Sequence, residues 1–241
     1  MKRTMTRAEM VRLIVGGAAE IPLLGLGRAA AQEATPVAAP SSASPVASDV
    51  RFRRNAKELS AAEKRAFTDA VLALKATPSS WDSTLSTYDQ FVVWHREAFA
   101  CDVMSAHMGP AFFPWHRQFL LLFEEQLRVV DPSVTIPYWD WTVDRETDSY
   151  LWQDDFMGGD GDPDQTYAVT TGPFRKGEWE VTIFDAADDD RKPYLMRRLG
   201  HGEQAPDLPT TEQVETGLAM TAYDVAPWTE GSDSTASFRS Y

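Results

Sequence analysis

From residue 60 onward, apolar side chains recur at helical spacing in three successive stretches. Residues 60–63 read "SAAE", the pattern of a capping box, and Phe67, Ala70, Val71 and Leu74 then fall at i, i+3, i+4 and i+7. Tyr88, Phe91, Val92, His95 and Phe99 repeat that spacing within "STYDQFVVWHREAF". Gly109, Pro110 and Pro114 interrupt the pattern, after which His116, Phe119, Leu120, Phe123 and Leu127 form a third stripe. The spacing predicts three amphipathic helices and puts two histidines, His95 and His116, on their apolar faces.

The periodicity is absent before residue 50. Residues 33–49, "EATPVAAPSSASPVASD", are rich in Pro, Ala and Ser and have no stripe to bury, so they read as a spacer. Ahead of them Lys2, Arg3, Arg7 and Arg12 precede the apolar run "LIVGGAAEIPLLGLG", and "RAAAQ" offers an A-x-A cleavage site ending at Ala31. The expectation is a signal peptide over 1–31, a linker over 32–50, a folded domain over 51–241, and export from the cytoplasm. "TRAEMVR" matches a twin-arginine signal with Ala8 in place of the second arginine, which leaves the export route open. A membrane anchor fits less well, because the apolar run falls short of the roughly 20 residues that a bilayer requires.

Charge narrows the function classes. The net charge is −13, and beyond residue 31 the body carries 18 basic against 34 acidic residues, which excludes a basic face for nucleic-acid phosphates. Cys101 is the only cysteine, so no disulfide can form within the chain and stability must come from the core.

The chain has four histidines, and three of them, His95, His107 and His116, lie within 22 residues. One inward histidine is more often a hydrogen-bonded core residue than a ligand. Three that can converge are different: a short loop between two antiparallel helices brings a third imidazole to the same point, and neutral imidazole suits zinc, copper, iron or nickel. The spacing alone leaves the metal open, because zinc sites also use three histidines.

"AHMGPAFFPWHRQFLLLFEEQL" followed by "IPYWDWT" resembles the first copper motif of the tyrosinase family of type-3 copper proteins. The likeness is closest to the bacterial members and continues through "SYLWQDDFMGG", "GPF" and "AYDVAPW". It implies a mainly α, helical-bundle fold holding two coppers by three histidines each, with His95, His107 and His116 matching the ligands of the first. It implies an oxidoreductase that acts on phenolic or diphenolic small molecules with dioxygen; from the charge and the short apolar run, neither a nucleic-acid partner nor stable membrane insertion is expected. Ser105 stands where some eukaryotic members have a thioether-forming cysteine, which implies an unlinked site. His201 matches no family ligand and reads as a surface residue.

The second copper's H-x3-H pair and further histidine have no counterpart in these residues. The resemblance therefore implies the front part of a catalytic domain, inactive alone, with Phe91, Val92, Phe119, Leu120 and Phe123 left facing water. The alternative is a non-catalytic copper-binding remnant. Of the remaining features, "DGDPDQ" at 160–165 lacks the glycine and glutamate of a calcium loop and reads as an acidic surface loop, as does "DAADDD" at 185–190. Asp140, in "PYWDW", is a candidate to orient a ligand imidazole.

Overall fold

A computed structural model describes residues 50–99, 106–107, 109–184, 191–200 and 208–241. The expected signal peptide and most of the linker, Cys101, Ser105, the run at 185–190 and His201 lie outside the described residues.

The folded unit begins at Arg51. Three helices carry it: α1 (Ala61–Ala76), α2 (Thr87–Phe99) and α3 (Phe112–Val130), with α1 packed against both others. A short α4 (Thr211–Leu218) follows much later. Between them, the described residues of 131–210 hold little regular structure beyond short turns of 3-10 helix and the strands β1 (Gly161–Asp162) and β2 (Ala168–Val169), which pair antiparallel with Gly161 opposite Val169. The mainly α expectation holds, with three long helices packed together among the described residues. Among the described residues no helix is long and apolar enough to cross a membrane.

Helix α1 starts where the capping box predicts. The Ser60 hydroxyl accepts from the Glu63 amide at 3.3 Å, and Glu63 accepts in turn from the Ser60 amide at 2.8 Å, satisfying two amides at the helix start. Its predicted stripe is buried: Phe67, Ala70, Val71 and Leu74 join Leu127, Leu151, Phe156 and Trp179 in the core. Each large side chain buried there contributes about 1.5–3 kcal/mol.

Helix α3 has no side-chain cap. Pro114 is its third residue, within the first turn, where a missing N–H removes no helical hydrogen bond. Further along, Glu124 is buried and unites three segments. It accepts from Arg51 Nη1 at 3.2 Å, from Arg53 Nε at 2.9 Å and from the amide of Ile136 at 3.0 Å. The segment after the arginines pairs with the "PYWDW" stretch, Ala56 donating to the Tyr138 carbonyl and Tyr138 to that of Arg54, each at 2.9 Å. Helix α3 is thereby locked to the strand-like entry of the domain and to the chain that leaves it.

The expected exposure of the aromatic stripe is only partly found. Phe91 is 3% exposed and Leu120 is 37% exposed, while Val92, Phe119 and Phe123 are half-buried. Phe91 is covered by rings of its own chain: Trp81, Trp94, Phe119 and Phe123 all stand with ring centroids 5.2–6.1 Å from it, edge to face. Phe99 shows the opposite departure. It was expected on the inward stripe, yet it is 57% exposed, because α2 ends there and its ring leans on His107 at 4.9 Å instead.

The acidic loop at 160–165 uses its own oxygens. Asp160 accepts from the amides of Gly161 and Leu199, and Asp162 caps the turn at Pro163–Gln165. It is a surface loop knitted to its neighbours, as the sequence predicts.

Candidate metal centre

The three clustered histidines arrive from three different local structures. His95 comes from the last turns of α2, His116 from the second turn of α3, and His107 from the connection between them. Just ahead of α3 the chain makes a turn, with Phe112 donating to the Gly109 carbonyl at 3.0 Å as the helix begins. Helices α2 and α3 thus present their histidines, together with His107, to one point.

One nitrogen from each ring lies within 4.8 Å of the others. His95 Nε2 and His107 Nε2 are 3.0 Å apart, and the ring centroids are separated by 4.7 Å (His95–His107), 5.0 Å (His107–His116) and 5.6 Å (His95–His116). His116 Nδ1 lies 2.7 Å from the Phe112 carbonyl, an acceptor only, so Nδ1 must carry the hydrogen and Nε2 keeps its lone pair for the cluster. Phe112 sits one helical turn before His116, a spacing that could have revealed the pairing.

The donor set fits a metal ion. Imidazole nitrogens bound at about 2.0–2.1 Å from a common ion stand roughly 3–4 Å apart, so the His95–His107 pair is already at that spacing and His116 needs only a small closing movement. Two Nε2 lone pairs cannot face each other at 3.0 Å unless a proton or a cation lies between them. Aromatic rings wall the group: Trp115 is 4.9 Å from His116 and 5.9 Å from His95, and Phe119 is 5.7 Å from His95. These rings raise the cost of charge on the imidazoles and keep polar competitors away from the nitrogens.

Asp140 does not take the orienting role expected for it. Its Oδ1 accepts from the amide and hydroxyl of Thr142, at 3.2 and 2.6 Å, and so closes the turn after "PYWD". The orienting oxygen is the Phe112 carbonyl instead. A side-chain motif could not reveal it, because the acceptor belongs to the backbone.

Residues 85–240 match the family described as the common central domain of tyrosinase. The chain belongs to the tyrosinase family. It is 38% identical over 210 residues to grixazone synthase of Streptomyces griseus subsp. griseus, covering 80% of this chain and 66% of that one. A tyrosinase from Streptomyces antibioticus is 42% identical over 183 residues, covering 75% of this chain and 63% of the relative. The chain thus spans just under two-thirds of the length of these relatives. A mutant polyphenol oxidase from Thermothelomyces thermophila superposes with a TM-score of 0.48 at 27% identity, covering 63% of this chain and 48% of that structure. Tyrosinases use copper, and the three-histidine group could hold one copper ion.

Electrostatics favour the metal-ready form. Burial lowers the pKa of His95 from its ordinary 6.5, and the positive charges that His107 and His116 would carry lower it further. His107 is lowered by burial and by His116. Protons therefore compete with a metal for the His95 and His107 nitrogens only below the usual histidine range. Copper occupancy is expected to persist as the pH falls through 6.5 and to fail at a lower pH, which a copper-release titration would show as a midpoint on the acid side of that value. In the metal-free chain the unfolded state binds more protons than the fold near this pH, so stability falls as the solution is acidified below 6.5.

Proposed function

We propose that this chain provides the first copper centre of an exported tyrosinase, with His95, His107 and His116 as the ligands. The observation that carries the reading is the convergence of three imidazole nitrogens within 4.8 Å inside a family-matched helical domain. The substrates are phenols or diphenols, with dioxygen as the co-substrate. Copper bound there supplies one-electron redox chemistry. The chain's own residues hold the ion, fix the His116 tautomer through Phe112 and surround the imidazoles with aromatic rings.

The 241 residues alone are proposed to be inactive. They contain four histidines, and once three serve one copper a second three-histidine set cannot be assembled. The non-catalytic remnant remains the second reading. It draws support from Phe91, which is covered by rings of this chain rather than left open for further helices. Export follows from the basic residues, the apolar run and the A-x-A site ahead of Ala31, with a linker to residue 50 and the domain from 51 to 241. The acidic body argues against a nucleic-acid partner.

Copper titration of the purified chain, with oxygen uptake followed in the presence of a diphenol, tests the reading. One tightly held copper per chain without turnover is expected. Two coppers per chain, or turnover by the chain alone, would contradict it.

A further inference from the structure

We infer that Tyr223 is a positioning residue for the His107 ligand, acting through a clasp formed by residues 222–241; the inference rests on the copper reading above. His107 is the one histidine of the three outside a helix. A ligand on a loop is only as well placed as whatever holds the loop. The turn that follows it, Gly109 to Phe113, is held by the far end of the chain. The Tyr223 hydroxyl donates to the Pro110 carbonyl at 2.6 Å across 113 residues of sequence. Phe113 stacks on Phe238 at 4.9 Å with 27° between the rings, and Tyr223 lies 6.4 Å from the same ring. The Trp228 carbonyl sits so close that a Cβ on Gly109 would meet it at 3.4 Å.

The clasp is itself a closed unit. Asp224 and Arg239 form two parallel hydrogen bonds of 2.8 and 2.9 Å, with side chains only 4% and 6% exposed. Arg239 also donates to the Thr229 carbonyl at 2.7 Å, and the Ser232 hydroxyl to that of Val225 at 2.9 Å. The amides of Phe238 and Arg239 donate to the carbonyls of Ala222 and Tyr223, each at 2.9 Å. Tyr223 therefore stands on a braced support. Its hydroxyl passes that rigidity to the loop between the second and third ligands.

Tyr223→Phe removes only the hydroxyl that reaches Pro110. Tyr150→Phe is the control, since it removes a 3.2 Å bond to Asn55 and none to the ligand loop. Copper release from the loaded full chain into a chelator, the Cu(II) EPR spectrum and the thermal unfolding of the metal-free chain are measured for each. Tyr223→Phe is expected to release copper about fivefold faster with a changed Cu(II) hyperfine splitting, as befits one lost hydrogen bond. Tyr150→Phe is expected to release copper at the wild-type rate. In a His107→Ala background, Tyr223→Phe should no longer alter release, because the residue it positions is gone. Wild-type release by Tyr223→Phe, equal acceleration by both tyrosine variants, or an undiminished effect in the His107→Ala background overturns the inference while leaving the copper site intact. A wild-type chain that takes up no copper overturns the copper reading and this inference with it.

Discussion

Diphenol oxidation is expected to appear when this chain is folded together with the part of a Streptomyces tyrosinase that it does not span. The chain matches 63% of the length of the Streptomyces antibioticus tyrosinase. On the proposed reading, the histidines of a second copper belong to the part that the chain does not span. Supplying it is therefore expected to add a second redox centre and to cover Leu120 and Phe99, which are exposed here. The change is from no measurable turnover to turnover, so it is large whatever the final rate. It should depend on His95, His107 and His116, each expected to abolish the gain when replaced by alanine. Oxygen consumption by the co-refolded protein is the measurement. A soluble, copper-loaded assembly that stays inert would favour the remnant reading.

The second large effect concerns Glu124. Its side chain is 2% exposed, whereas Arg51 and Arg53 keep 27% and 35% of their surfaces. Replacement by alanine strands the Ile136 amide and leaves two guanidiniums facing each other. Breaking a fully buried pair costs about 3–5 kcal/mol; with the arginines still partly solvated, a loss of roughly 2–3 kcal/mol is expected. That is a substantial share of a domain's net 5–15 kcal/mol. Denaturant unfolding of the metal-free chain reads it directly, and a loss below about 0.5 kcal/mol would show that the network adds little.

The same carboxylate has a pH signature. Burial acts to raise its pKa above the ordinary 4.5, but the Ile136 amide and the Arg53 and Arg51 guanidiniums outweigh burial and the net shift is downward. The stability it contributes is therefore complete above the unfolded carboxyl's value and is lost as the pH falls through the lower folded one. Glu124→Gln, which keeps an acceptor for the amide, should be less stable near neutrality and should lose less on acidification than the wild type.

The helices were legible because their signals are local. A capping box at Ser60 and a stripe of period 3.6 through Phe67, Ala70, Val71 and Leu74 state both where α1 begins and which face it buries. The three histidines were legible for the same reason: His95 and His116 fall on helical stripes, and His107 lies between them in sequence. What could not be read were partners distant in sequence. Glu124 was visible only as a residue within a motif, since nothing local says that Arg51 and Arg53, more than 70 positions earlier, close around it. Nor does local pattern say that Tyr223 reaches Pro110. The oxygen behind His116 was missed for another reason: it is the backbone carbonyl of Phe112, one turn away, and not the side chain of Asp140. Phe91 is buried where the stripe predicts exposure because two of its covering rings are off that stripe: Trp94 on another face of α2 and Trp81 ahead of the helix.

The central claim is that His95, His107 and His116 jointly hold one copper ion. Pulsed EPR on the chain loaded with one equivalent of Cu(II) tests it most directly, because the modulation from the remote imidazole nitrogens reports how many rings the ion binds. The account predicts a single species with three imidazoles, losing one ring in each of the three alanine variants. A spectrum with fewer rings in the wild type, or one that His107→Ala and His116→Ala leave unchanged, would contradict it.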